Sequence, residues 1–176
     1  MSGPNLTRAD IRRLLELLSA ELAKQDIHGE LFVVGGAVMC LALNARESTR
    51  DVDAYFKPAI GIRQAAARVA VVVGLPDNWL NDAVKGFLDP CGRFEEFLDL
   101  PNLKVYTAHP HYLLAMKCAA MRLGAEFHDL DDVRYLLRHL NISTPKRALE
   151  IVTQYFDESQ LQPKTRLVLE ELLAPD

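Results

Sequence analysis

An apolar run, Leu31-Phe32-Val33-Val34, ends on Gly35-Gly36. A second apolar stretch then leads to Arg46, Thr49 and Asp51-Val52-Asp53. No other part of the chain constrains the fold as tightly. Four apolar residues closing on two β-branched ones suit a short strand buried on both faces. Two adjacent glycines lift the Cβ restriction, so the strand can turn at once into another element. Ala37, Val38, Met39, Cys40, Leu41, Ala42 and Leu43 are apolar all round, which predicts a buried helix over 36–45. From Arg50 to Phe56 the pattern alternates: Asp51, Asp53 and Tyr55 fall on one face, Val52, Ala54 and Phe56 on the other. Strands and a helix in this order belong to a layered α/β unit.

The rest of the chain extends that unit. Thr7-Arg8-Ala9-Asp10 has the form of a capping box, and Ile11, Leu14, Leu15, Leu18 and Leu22 follow at helical spacing to about Gln25. His28-Gly29 reads as a turn. Ile60 to Val73 reads as a helix with Arg63 and Arg68 on its polar side, broken at Gly74-Leu75-Pro76-Asp77. Residues 77–101 carry the weakest signals. Trp79 to Phe87 reads as a short helix, Cys91-Gly92 as a turn, and Phe94 to Leu98 as either a strand or a helical turn. Leu103 to Thr107 is a clearer strand. His109-Pro110 opens a long helix to about Leu123, and Asp129 to Leu140 forms another. Ser143-Thr144-Pro145 and Pro163 start two more, each with proline in the first turn. The expected class is α/β (α+β), with a core over 1–107 and a helical region over 108–176.

Length and composition narrow the setting. A chain of 176 residues, 49% apolar, fits one domain or a core with a helical extension. A net charge of −4 gives no global attraction to nucleic acid or anionic membrane, so RNA would need a local patch such as Arg46, Arg50, Lys57, Arg63 and Arg68. Cys40, Cys91 and Cys118 are scattered without CxxC spacing, which suits free thiols in a reducing cytosol. No window approaches the roughly 18 apolar residues of a membrane span, and no signal-type segment opens the chain. A cytoplasmic protein with no membrane partner is expected. His109, His111, His128 and His139 lack metal-ligand spacing with the acids, so no zinc site is expected.

The acids and glycines suggest a chemistry. Side chains two apart on a strand project together, and two like charges a few ångströms apart repel by roughly 1 kcal/mol in water. A divalent cation between Asp51 and Asp53 would relieve that. Two carboxylates that leave positions open for phosphate oxygens suit magnesium. Gly35-Gly36 would offer backbone amides to an anion. Either feature alone has a plain reading, a turn for the glycines and a solvated surface pair for the acids; joined, they suit phosphoryl or nucleotidyl transfer from a triphosphate.

Val34-Gly35-Gly36 followed by Asp51-Val52-Asp53 resembles the core motif of the nucleotidyltransferase fold, the DNA polymerase β-like superfamily. Arg46-Glu47-Ser48-Thr49-Arg50-Asp51-Val52-Asp53 is similar to minimal nucleotidyltransferases and to the AbiEii- and MenT-like toxins of bacterial toxin–antitoxin pairs. Tyr112 to Ala120, then Arg122, then Asp129 to Val133, is similar to a later segment of that group. The resemblance spans about 30–140.

It implies a small mixed sheet flanked by helices, with Asp51 and Asp53 as ligands of one or two Mg2+ ions and Gly35-Gly36 as the phosphate loop. Lys117 would hold triphosphate, and Asp132 would be a further catalytic acid. Arg46, Thr49 and Arg122 would contact the nucleotide or support residues that do. Lys117 has an alternative, an ion pair with Asp132 or Asp129, while Asp129 and Asp131 read as acids placed for the helix dipole. The implied activity is transfer of a nucleotide from an NTP to an acceptor hydroxyl, at the 3′ end of a tRNA, by a toxin with a cognate antitoxin. Transfer of AMP to a protein, as in other minimal members, is the alternative; a silent nucleotide- or partner-binding module is a third. Two positions depart from the family pattern: Gly36 stands where serine is common, and Leu103 to Thr107 carries no third acid.

Overall fold

The computed structural model describes residues 3–83, 92–123 and 128–175. They fall into two compact units, one of residues 3–83 with 94–108 and one of residues 92–93 with 109–175.

The first unit runs β1 (Leu6–Thr7), α1 (Arg8–Ala23), β2 (Gly29–Val34), α2 (Gly35–Leu41), β3 (Ser48–Thr49), β4 (Val52–Lys57), α3 (Ala59–Val73), β5 (Leu80–Asn81), β6 (Phe94–Leu100) and β7 (Leu103–Ala108). Five strands form a mixed sheet in the order β5-β4-β2-β7-β6, and β1 pairs separately with β3. The central strand, β2, lies antiparallel to β4 and parallel to β7. β4 is parallel to β5, and β6 and β7 are antiparallel with a register shift between Glu96 and Leu98.

One face of this sheet is sealed by helices. A Cβ on Gly29 would meet Ile62 Cδ1 at 2.9 Å and Leu22 Cδ1 at 3.2 Å, so α1 and α3 lie against the side that Leu31 and Val33 share. Register carries that side to Ala54 and Phe56 on β4 and to Leu103 and Val105 on β7, all buried. The alternation read between Arg50 and Phe56 holds: Val52, Ala54 and Phe56 are buried, while Asp51, Asp53 and Tyr55 are not. Thr7 caps α1, its Oγ1 accepting from the Asp10 amide at 3.2 Å while Asp10 Oδ2 accepts from the Thr7 amide at 2.9 Å. Gly74 ends α3 in the left-handed region.

The second unit holds α4 (Pro110–Ala119), α5 (Asp129–His139), α6 (Pro145–Val152), a 3-10 turn (Glu158–Gln160) and α7 (Pro163–Leu172). Thr144 caps α6 by accepting from the Arg147 amide at 3.2 Å. Thr165 Oγ1 donates to the Cys118 carbonyl at 3.0 Å, tying α7 to the end of α4.

The α/β class is therefore as the sequence indicates, and several details are corrected. Gly29 is already within β2. Trp79 does not open a helix: it is buried, its indole N–H donates to the Ala66 carbonyl at 3.0 Å, and β5 follows directly. The rest of that expected helix from residue 84 on, and Cys91, lie outside the described residues. Phe94 to Leu98 is strand, as part of β6. α4 stops at Ala119 rather than near Leu123, because the Arg122 amide leaves the helical pattern to donate to Asp129. Among the described residues, no helix is long and apolar enough to cross a membrane.

Candidate functional site

The turn from β2 into α2 brings glycine backbone against a carboxylate. Antiparallel register sets Val34 opposite Asp53. Gly35 has φ +66°, and a Cβ built on it would lie 3.2 Å from Asp53 Oδ2. Both facts require glycine: the left-handed backbone disfavours any side chain, and the space is held by the acid. Gly36 is constrained from another direction, since its Cβ would meet Arg46 Nη1 and, at 2.9 Å, Thr49 Oγ1.

The remaining contacts close the cluster. Thr49 Oγ1 donates to the Asp51 carbonyl at 3.3 Å, and Thr49 is held in place by β3, whose register pairs it with Leu6. Asn81 Nδ2 donates to Asp51 Oδ2 at 3.3 Å. Asn81 also stands at the register position of Asp53 across the parallel β4–β5 pair, so the two side chains project from the same face. Asp51 lies just outside β4, yet its bond to Asn81 brings its carboxylate to that face too. Gly35, Gly36, Arg46, Thr49, Asp51 and Asp53 are thus assembled in one place within the first unit. Asn81 joins them unforeseen; β5 is two residues long, too short for an alternation, and a polar residue after Leu80 was its sole signal.

Lys117, Arg122 and Asp132 gather in a cluster of the second unit. Lys117 Nζ lies 3.1 Å from Asp129 Oδ1 and 2.8 Å from Asp132 Oδ2, with the lysine side chain 11% exposed and each acid 5%. Asp129 Oδ2 accepts from the Arg122 backbone amide at 3.0 Å and from its Nε at 2.9 Å. Asp129 and Asp132, three apart on α5, share a helix face and so reach one lysine. Burial pushes the Asp129 carboxyl up, but Arg122 and Lys117 outweigh it and hold the group below its ordinary value. Asp129 is therefore more than an acid at a helix start, because two cations have been folded over it. Asp131 matches the plainer reading, exposed and 3.0 Å from Arg134. Both ion pairs that the sequence offered for Lys117 form together, so its charge is already met by two carboxylates.

Other candidates have structural occupations. His109 Nδ1 accepts from the His111 amide at 3.2 Å, capping α4. Burial, with His109, Arg93 and Arg147 nearby, holds His111 below its ordinary value. Cys40 and Cys118 are buried, and burial pushes the Cys118 thiol up to about 12. The basic patch is largely compensated: Lys57 pairs with Glu30 at 3.0 Å, Arg63 with Asp82 at 2.7 Å and Arg68 with Glu21 at 3.1 Å.

A cation can be tested against these donors. Among the described residues no group of three or more His, Cys, Asp and Glu side chains is placed to hold a metal. A hard ion such as magnesium needs fewer protein ligands, since it can rest on two carboxylates and complete its shell with substrate oxygens and water. Asp51 and Asp53 are both partly exposed, with Asn81 bonded to the first and in register with the second, and two such carboxylates would suit an ion of that kind. Comparison with family models, with curated proteins and with solved structures gave no match to this chain.

Proposed function

We propose that the chain is a magnesium-dependent nucleotidyltransferase that moves a nucleotide from an NTP to an acceptor hydroxyl. The observation that carries this reading is the apposition of the Gly35-Gly36 turn and the Asp53 carboxylate, with Asp51 drawn alongside by Asn81. Backbone without side chains would let a triphosphate approach closely, and the neighbouring acids would hold its metal. Asp51 and Asp53 would hold the ion, which supplies charge neutralisation to the phosphate oxygens. Gly35 and Gly36 admit the phosphates. Arg46, packed on Gly36, supplies a cation beside them, and Thr49 fixes the backbone at Asp51. The acceptor oxygen bonds to the α-phosphorus, the bond to pyrophosphate breaks, and the hydroxyl proton leaves to solvent.

The acceptor follows from resemblance: the 3′ end of a tRNA, modified by a cytoplasmic toxin that a cognate antitoxin restrains. A second reading, transfer of AMP to a protein hydroxyl, draws support from the compensated surface. With Lys57, Arg63 and Arg68 each facing an acid, and a net charge of −4, little positive field is left for an RNA backbone.

One assay separates these. The chain is incubated with each labelled NTP, Mg2+, bulk tRNA and total cell protein. Label in tRNA supports the first acceptor and label in a protein band the second. Asp53→Asn is expected to lower either signal at least a hundredfold while leaving the circular dichroism spectrum unchanged. Absence of label with every NTP overturns the transferase reading.

A further inference from the structure

The sheet face that carries Asp53 also carries a row of aromatic rings. Phe32 on β2 stands opposite Tyr55 on β4 and beside Tyr106 on β7. The Phe32 and Tyr106 rings are stacked, with centroids 4.8 Å apart and planes 8° apart. Tyr55 continues the row at 6.0 Å and 40°, and Phe94 abuts Phe32 edge-on at 5.2 Å. None of these rings belongs to the sealed face: they occupy the positions that alternate with Leu31, Val33, Ala54 and Val105. Lys57 Nζ lies 5.7 Å above the Phe32 ring on the same side.

The row has an open end at Tyr55. Its inner side packs toward Phe32, and 39% of its surface stays exposed. β5 pairs with β4 only at Val52 and Asp53, so among the described residues no strand flanks β4 beside Tyr55. Tyr55 lies two residues from Asp53 on the same strand and face, about 7 Å along the chain. That is a short step for a nucleotide, whose phosphates and base are joined through one sugar.

We propose that Tyr55, backed by Phe32 and Tyr106, is the stacking surface for the base of the NTP whose phosphates lie at Gly35, Gly36 and the two aspartates. The proposal deepens the transferase reading and rests on it. A planar base extends the row by one member, and every base has a face to offer, so the contact supplies affinity and orientation with little choice among bases. The acids Glu30 and Glu96 that accompany Lys57 and Lys104 at this face suit a single nucleotide better than a polyanionic strand. Tyr55 binds and orients; it takes no part in bond making.

Calorimetric titration of the whole chain tests this with three probes in Mg2+: ATP, inorganic tripolyphosphate and AMP. Tyr55→Leu keeps an apolar side chain against Phe32 but removes the ring, and Tyr55→Phe restores it. The expected result is that Tyr55→Leu weakens ATP about tenfold, equal to about 1.4 kcal/mol, leaves tripolyphosphate unchanged, and is rescued by Tyr55→Phe. If Tyr55→Leu binds ATP as the wild type does, while Asp53→Asn loses both ATP and tripolyphosphate, the stacking surface is overturned and the phosphate site stands. If tripolyphosphate fails to bind wild type but AMP binds in a Tyr55-dependent way, the surface stands and the transferase reading falls. Failure of all three probes overturns both.

Discussion

Gly35 shows how much one missing methyl group decides. At φ +66° an alanine would sit in the left-handed region, at a cost of about 1–2 kcal/mol, and its Cβ would press on Asp53 Oδ2 from 3.2 Å. Gly35→Ala is therefore expected to lose about that much stability in urea denaturation and, beyond it, at least tenfold in nucleotide transfer. At Gly36 the first obstacle is the end of the Arg46 side chain, which can move aside, so that glycine constrains the guanidinium more than the fold. Lys117 presents the opposite case, a residue whose deletion exposes others. Lys117→Ala removes the cation that the buried Asp129 and Asp132 share, and the expected loss is about 3–5 kcal/mol. Asp129 also predicts a pH dependence. Its folded value lies below the ordinary 3.8, so its stabilisation is full above that value and fades as pH falls through the folded value. Arg122→Ala should flatten this acid limb, measured as denaturation midpoints across pH 2–6.

Among the elements, length decided what could be read beforehand. β2, α2 and β4 announce themselves through hydrophobic pattern and the paired glycine, and alternation groups Asp51 with Asp53 although β4 begins only at Val52. β1, β3 and β5 are two residues each, too brief for any period, and exist because other elements hold them in place. Their absence from the sequence reading hid Asn81, and with it the contact that turns Asp51 toward its neighbour. The early end of α4 was hidden for a related reason, since it depends on a carboxylate that comes later in the chain. Lys117 was legible as an anomaly in an apolar helix, and both acids that answer it were in view; that they bind it together only the folded helices reveal. Caps, by contrast, are local and readable. Thr7→Ala removes the hydroxyl that accepts from the Asp10 amide and keeps the backbone half of the α1 capping box; it is expected to cost about 1 kcal/mol, seen as a melting temperature lower by about 2–4 °C.

Across the first unit as a whole, the sheet keeps one face for its core and carries its partly exposed polar side chains on the other. α1 and α3 seal the side of Leu31 and Val33, while Asp53, Asn81 and Tyr55 share the opposite side of β4 and β5. The strand order places β2 in the middle, with hydrogen-bonded neighbours on both edges, whereas β5 is held to β4 alone along two residues. That arrangement sets a timetable for proton exchange. Amides of Leu31 to Val34 should trade hydrogen for deuterium only when the whole unit opens, and those of β5 through brief local openings. Mass-spectrometric exchange should find these two rates separated by orders of magnitude, although both segments border Asp53. The site is then asymmetric in time, with its glycine side anchored to the slowest-opening strand and its Asn81 side on the fastest. If nucleotide and magnesium bind across Asp53 as proposed, they should slow the fast side and leave the slow one unaltered.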